Sequence, residues 1–270
     1  MGFRAHLIPA WLLLAASVAF PFAAAAQTTG PDPAPASAPS QPAPPNERPV
    51  SWKLLLPNFI SDQERIWTFP ARLAQGQNWL PTTAVLGATA GLIALDPTEA
   101  AYFRRTSAFN GFNNVFTGKA TLIGVIAAPV ALYGTGLARK DAKMQATALL
   151  AGEAIADAEL VTTVLKDITG RVRPAAIPPH GNFSDTWFDS GGNYWRGRGS
   201  FPSGHAIAAF SVATVASRRY GSHRWLPYAA YGMAAVVGFS RLTLSAHFLS
   251  DVFMGGALAY SISRFTVLRE

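Results

Sequence analysis

Residues 142–166 have the sequence AKMQATALLAGEAIADAELVTTVLK, and this stretch indicates the fold class. Its apolar residues recur at the three- and four-residue spacing of an α-helix. Three acidic residues, Glu153, Asp157 and Glu159, lie near its middle. Because charged side chains at that position are costly in a lipid bilayer, we expect this helix to belong to a bundle that faces water.

The same helical periodicity continues on both sides of this stretch, and no segment shows the alternating pattern of a β-strand. A helix over residues 52–73 is predicted to be amphipathic and to lie across the bundle or on a membrane surface. The sequence therefore predicts an all-α fold, a helical bundle of about six core helices. The other predicted helices cover residues 80–95, 121–138, 203–218, 226–239 and 250–267.

The N-terminal part of the chain carries an export signal by its composition. Arg4 precedes an apolar run over residues 7–20, and a short run of alanines ends at Gln27. Residues 1–26 are therefore predicted to be a signal peptide, with a retained membrane anchor as the alternative. We expect an exported protein, periplasmic or otherwise extracytoplasmic, and the alternative is an integral membrane protein.

A change of composition after the signal peptide predicts the domain boundary. Eight of the twenty prolines fall in residues 27–49, among Ala, Ser and Gln. Such a segment cannot bury a core, so it is predicted to be a disordered linker. One catalytic domain is predicted to follow over residues 50–270.

Charge and cysteine content limit the classes of partner and mechanism. The formal net charge of +7 suits phosphate, an anionic lipid surface or nucleic acid. Nucleic acid is the weaker candidate, because the sequence has no zinc-finger spacing, basic recognition helix or aromatic RNA-binding signature. The chain has no cysteine, which excludes disulfides, thiolate metal sites and a cysteine nucleophile. We therefore expect a phosphorylated small-molecule or lipid substrate, with a membrane surface as a second candidate contact.

Three clusters of polar residues in the second half of the chain carry the expected chemistry. Taken singly, each has an ordinary structural explanation as cations at a helix end, a helix cap or an i,i+4 pair. Together they favour phosphoryl transfer, which needs fixed donors around the phosphate oxygens. The clusters are Lys166 with Arg173-Pro174, then Pro202-Ser203-Gly204-His205, and then Ser240-Arg241 with His247 and Asp251.

Five of these residues are predicted to bind the phosphate. Lys166, Arg173 and Arg241 supply three cations, and arginine matches phosphate oxygens in a bidentate way. Ser203 and Gly204 place backbone N–H groups at a helix N-terminus, where the dipole favours anions and glycine allows close approach. The sequence thus predicts an anion cradle that contains no metal.

Three further residues are predicted to be catalytic. His247 is the better placed nucleophile, because Asp251 lies one helical turn further on and can fix the tautomer of its imidazole. His205 stands beside the cradle and can protonate the leaving oxygen and then activate water. The active site is therefore predicted to be built from the second half of the chain.

The spacing of these clusters resembles the three signature blocks of the type 2 phosphatidic acid phosphatase and vanadium haloperoxidase superfamily. Six residues separate Lys166 from Arg173, five separate Arg241 from His247, and three separate His247 from Asp251. The resemblance is to a bacterial acid phosphatase-like member. It implies a helical bundle core, hydrolysis of phosphate monoesters without a metal or cofactor, a covalent phosphohistidine, and the residue roles given above.

Two other functions remain open at this stage. Vanadate and phosphate are both tetrahedral oxyanions, so the same donors suit a vanadium-dependent haloperoxidase with vanadate as its cofactor. We favour the phosphatase, because haloperoxidases of this superfamily are usually much longer chains. A non-catalytic anion-binding or membrane-associated protein is disfavoured by the complete set of nucleophile, orienting group and acid. The aromatic loop over residues 175–200 is predicted to be either a lid over the site or local packing.

Overall fold

The computed structural model describes residues 48–189 and 199–269. Within these ranges the chain is helical and has no β-strand, which confirms the predicted all-α fold. The predicted signal peptide, the linker up to residue 47 and residues 190–198 of the aromatic loop lie outside the described residues. Those assignments stay predictions.

Helices of very different length make up the described part, and six of them have 14 or more residues. A 3-10 turn at Pro174–Ala176 and a π-helical turn at Ser263–Val267 join or end them. The helices are α1 (Leu55–Trp67), α2 (Phe69–Ala74), α3 (Trp79–Arg105), α4 (Asn110–Val115), α5 (Gly118–Ala138), α6 (Ala142–Thr169), α7 (Gly204–Arg219), α8 (Leu226–Thr243) and α9 (Leu249–Ile262).

The predicted helices agree with these bounds apart from three differences. The predicted helix 52–73 is broken at Thr68, because Pro70 in the first turn of α2 has no N–H with which to continue α1. The predicted helix 80–95 continues through Pro97 to Arg105. The short helix α4 was not predicted, since its six residues are too few for a periodic pattern.

Helix α7 lies at the centre of the bundle and packs against α6, α8 and α9. Small side chains of α6, among them Ala154 and Ala158, meet Ile207 and Val215 of α7 in the main core. Helix α5 packs against α6 and, less extensively, against α7, and α3 packs against α9. This packing brings the C-terminus of α6 and the N-termini of α7 and α9 together at one end of the bundle.

Two of the three acidic residues in the middle of α6 have hydrogen-bond donors inside the protein. Arg48 donates hydrogen bonds to Asp62 at 2.6 Å and to Glu153, and Gln63 donates to Asp157 at 2.9 Å. Buried charges are tolerated when they are paired and hydrogen-bonded. Glu153 therefore needs no contact with water, and the reason for expecting a water-facing bundle is weakened.

Helices α3 and α5 are long and apolar enough to cross a membrane. Within the most apolar 18-residue stretch of each helix, only 11% of α3 and 17% of α5 are buried within the protein. Leu80 and Leu86 of α3 and Ile126 and Val130 of α5 are among the exposed apolar side chains. Contiguous exposed apolar surface of this kind marks a membrane or protein contact. It favours the integral membrane alternative over the water-facing bundle that we expected from the sequence.

We expect the uncovered faces of α3 and α5 to be shielded by lipid. Because the chain has no cysteine, the single variants Leu86→Cys and Ile126→Cys can report on this directly. In open membrane fragments neither should react with a water-soluble maleimide, whereas Ser222→Cys in an exposed turn should react fully. Equal labelling of all three variants would restore the water-facing bundle.

Candidate active site

The three predicted clusters meet at one end of the bundle. Lys166 lies in the last turn of α6, Ser203 caps α7, and Arg241 lies in the last turn of α8. Asp251 lies in the first turn of α9, and its backbone carbonyl accepts a hydrogen bond of 3.0 Å from the N–H of Ser203. Four helix ends therefore carry the site.

Gly204, the first residue of α7, allows the Lys166 side chain to lie against the backbone of the cradle. A Cβ atom at position 204 would stand 3.3 Å from the Lys166 Nζ and 2.8 Å from a carboxylate oxygen of Glu159. Any larger residue would push these side chains away. The missing side chain of Gly204 thus places a cation beside the N-terminus of α7, as the anion cradle requires.

The imidazole of His247 is buried and held in one orientation. Its Nδ1 lies 2.8 Å from the carbonyl oxygen of Ser200 and 3.5 Å from Oδ2 of Asp251. A proton on Nδ1 is donated to these acceptors, which leaves the lone pair on Nε2. Nε2 lies 3.5 Å from Nη1 of Arg173. Burial lowers the pKa of His247, which favours the neutral ring that a nucleophile needs.

The carboxylate of Asp251 is fully buried and accepts hydrogen bonds from three directions. The donors are Arg171 Nη1 at 2.6 Å, the Ser200 hydroxyl at 2.5 Å and the Phe248 backbone N–H at 2.9 Å. Burial alone would raise the pKa of Asp251, but the hydrogen bond with His247 and the charge of Arg171 lower it below its ordinary value. Asp251 is therefore a fixed anion beside the imidazole.

Arg171 is a functional residue that the sequence reasoning missed. Its guanidinium is buried, bridges Asp251 and Asp96, and lies 3.9 Å from the centre of the Phe248 ring. Arg171 falls between Lys166 and Arg173, among the six residues that separate them. Its position only two residues before Arg173 was the available signal, because residues two apart in an extended segment lie on the same face.

Asp96 belongs to the site although it lies in the first half of the chain, where no signature was found. One oxygen accepts a hydrogen bond of 3.0 Å from the Ser250 N–H, and the other accepts from the Ser250 hydroxyl at 2.5 Å and from Arg171 at 2.6 Å. A carboxylate directly after the apolar stretch of α3 was a signal that could have revealed it. Asp96 fastens α3 to the start of α9.

His205 is held by the first half of the chain as well. Its Nε2 donates a hydrogen bond to the carbonyl oxygen of Gly118 at 3.0 Å, which leaves Nδ1 free to exchange a proton. Burial, together with the neighbouring Arg241, His247 and Lys166, lowers the pKa of His205 to about 4. The ring is thus neutral at pH 7.

Arg241 is buried and its guanidinium is fixed on one side. Nη2 donates to the Phe116 carbonyl and to the Thr121 hydroxyl, both at 2.9 Å, and to the Ser240 hydroxyl at 2.8 Å. These contacts give the cation one orientation. Phe116, which follows α4, and Thr121 in the first turn of α5 supply two of the three acceptors. The residues predicted to bind phosphate are therefore positioned by segments outside the three clusters.

Five phenylalanine side chains, Phe103, Phe109, Phe112, Phe116 and Phe239, form an aromatic wall, and the backbone carbonyl of Phe116 binds Arg241. The rings of the wall form a chain of contacts with centroid distances between 4.5 and 6.0 Å. This wall offers an apolar surface next to a site for a charged group, as an amphiphilic ligand would need.

Part of the aromatic loop 175–200 is local packing. Phe183 is buried with Ile177 and Phe248, and Trp187 packs against Phe201 and over the Arg171 guanidinium. These contacts support the packing around Arg171 and Phe248, next to Asp251. Within residues 48–189 and 199–269, no group of three or more His, Asp or Glu side chains is arranged to hold a metal ion.

Residues 146–269 match the model of the PAP2 superfamily, and this region holds all three clusters. This region is similar to members of the type 2 phosphatidic acid phosphatase superfamily. A stretch of 60 residues is 42% identical to a lipid A 1-phosphatase of Porphyromonas gingivalis. That match covers 22% of this chain and 14% of the relative, so the chain spans about one seventh of the relative's length.

One solved structure with a similar helical arrangement is described as a transmembrane PAP2 type phosphatidylglycerolphosphate phosphatase from Bacillus subtilis. The likeness has a TM-score of 0.40 with 21% sequence identity, and it covers 78% of this chain and 92% of that chain.

Arg171 and Arg173 should respond differently to substitution by lysine. Arg171→Lys keeps the charge but loses the planar fork that bridges Asp96 and Asp251, so we expect kcat for a phosphate ester to fall on the order of 10- to 100-fold with little change in KM. Arg173→Lys should mainly raise KM, because Arg173 faces the Nε2 side of His247. Steady-state kinetics on both variants checks the contrast, and a KM effect alone in Arg171→Lys would contradict the role given to Arg171.

Proposed function

We propose that this protein is a phosphatase that hydrolyses phosphate monoesters of lipids through a phosphohistidine on His247. The observation that carries the proposal is the orientation of the His247 ring, with Nδ1 bound to the Ser200 carbonyl and beside Asp251, and Nε2 directed toward Arg173. The match of residues 146–269 to the PAP2 superfamily supports it. Lys166, Arg173, Arg241 and the N-terminus of α7 would hold the phosphate oxygens.

In the first step the lone pair of His247 Nε2 attacks phosphorus, and the bond from phosphorus to the ester oxygen breaks. Asp251 and the Ser200 carbonyl keep the proton on Nδ1 and stabilise the positive charge that forms on the ring. The three cations neutralise the charge on the equatorial oxygens. The product is a phosphohistidine, and the ester oxygen leaves as an alkoxide that requires a proton.

His205 would supply that proton. Its Nε2 is bound to the Gly118 carbonyl, so Nδ1 is the nitrogen that faces the proton transfer. A bound phosphate dianion counters the burial and the cations that lower the pKa of His205, and so favours the imidazolium form. After the alcohol leaves, neutral His205 takes a proton from water, the water oxygen attacks phosphorus, and phosphate and free His247 are regenerated.

The aromatic wall and the uncovered faces of α3 and α5 support a lipid phosphate as the substrate. The wall adjoins Arg241, so a substrate whose phosphate lies in the cradle has apolar surface beside its leaving group. The local identity to a lipid A 1-phosphatase supports the same class. For the location we propose a membrane-bound protein, with the site at the end of the bundle where α3 ends and α5 begins.

His247→Asn should abolish turnover and leave phosphate binding intact, because only the attacking lone pair is lost while the cradle remains. The assay is initial rate on a short-chain phosphatidic acid after dialysis against EDTA, together with protection by inorganic phosphate against thermal unfolding. Wild type should keep its rate after dialysis and should be inhibited by vanadate competitively with substrate. Activity that returns only with added magnesium or zinc would contradict the mechanism, and halide oxidation with peroxide and vanadate would support the haloperoxidase instead.

His205→Ala should depend on the leaving group. A general acid matters most when the departing oxygen is a poor leaving group. We expect a loss on the order of 10²- to 10⁴-fold with an alkyl phosphate and a much smaller loss with nitrophenyl phosphate. Equal losses on the two substrates would remove His205 from the role of proton donor.

A further inference from the structure

Glu159 is an acidic residue beside the cradle to which the steps above assign no role. It lies on α6 two helical turns before Lys166, so both side chains are on the same face of the helix. Glu159 is half-buried, in contrast to Glu64 on the exposed side of α1. A carboxylate placed at a site for an anion opposes binding, and its presence there requires an explanation.

The backbone of Gly204 shows how close this carboxylate comes to the cradle. The point where a Cβ of Gly204 would stand is 2.8 Å from Oε1 of Glu159, 3.4 Å from Oε2 and 3.3 Å from Nζ of Lys166. Both oxygens and the ammonium group therefore approach the same face of the first residue of α7. Among the described neighbours, the Lys166 charge is the one that acts most on the Glu159 carboxylate.

We propose that Glu159 weakens the hold of the cradle on phosphate, so that the anion produced in each turnover is released. The inference rests on the proposed function in one respect, namely that the cradle binds phosphate. Lys166, Arg173 and Arg241 are three cations at the cradle, and Asp251 is the anion beside them. Glu159 lowers the positive potential at the cradle by one further charge, so the phosphate product, which carries about two negative charges at neutral pH, is held less tightly.

Glu159 acts through Lys166 and the field at the cradle, so it is a positioning residue. The proposal predicts that removing the charge of Glu159 strengthens phosphate binding, which a purely structural role does not predict. Glu159→Gln keeps the size of the side chain and removes its charge, and inorganic phosphate should then bind about tenfold more tightly. If the carboxylate served only to hold the packing at Gly204, its loss would leave phosphate binding unchanged or weaken it.

The experiment uses the full-length chain in detergent and measures the dissociation constant of inorganic phosphate by calorimetry and its inhibition constant against a phosphate ester. Burial raises the pKa of Glu159 while the Lys166 charge opposes that effect, so all variants are compared across the same range of pH, and the difference between wild type and Glu159→Gln should be largest at the alkaline end. Glu64→Gln is the control for the change in net charge. Glu159→Asp keeps the charge and should bind phosphate nearly as wild type does.

We expect both constants for phosphate to fall about tenfold in Glu159→Gln, with a lower KM and no rise in kcat. Glu159→Asn provides a second neutral variant if the first does not fold, and it should change in the same direction. Unchanged or weaker phosphate binding in the folded neutral variants would overturn the role of Glu159 alone. Wild type that binds no phosphate at all would overturn both the cradle and this proposal.

Discussion

The buried carboxylate of Asp251 is the group on which the arrangement of this end of the bundle depends. Its oxygens accept hydrogen bonds from Arg171, from Ser200 and from the first turn of α9, so the segment after α6, the segment before α7 and the start of α9 meet at one point. A buried carboxylate costs several kcal/mol unless its lone pairs are satisfied. The same requirement that holds these segments together also orients His247, and fold and site therefore share one constraint.

The first half of the chain contributes hydrogen-bond acceptors that hold the site side chains of the second half in place. Asp96 binds the far side of the Arg171 guanidinium, the Phe116 carbonyl binds Arg241, and the Gly118 carbonyl binds His205. A charged side chain loses much conformational entropy when it is held in one geometry. Because these partners hold the side chains without a ligand, that cost is met in folding, and the proposed phosphate donors are ordered in advance.

The sequence predicted what depends on local pattern and missed what depends on distant partners. Helical periodicity and motif spacing identified the bundle and the residues of the three clusters, because both are properties of neighbouring positions. Asp96 has no such pattern, since its meaning comes from Arg171, 75 residues further on. The water-facing bundle was expected for the same reason: Glu153 and Asp157 were judged without Arg48 and Gln63, which lie 105 and 94 residues away.

The protonation of His205 links substrate binding to chemistry. Burial lowers its pKa to about 4, and the cations that bind phosphate act in the same direction. A permanently charged imidazolium would add to the repulsion among Lys166, Arg173 and Arg241 in the empty site, whereas a neutral ring does not. In the proposed mechanism a bound phosphate ester would reverse the local field and make the protonated ring favourable next to the leaving oxygen. The substrate would then form the acid that it needs, and the cations proposed to bind phosphate also help to keep the ring neutral in the empty site.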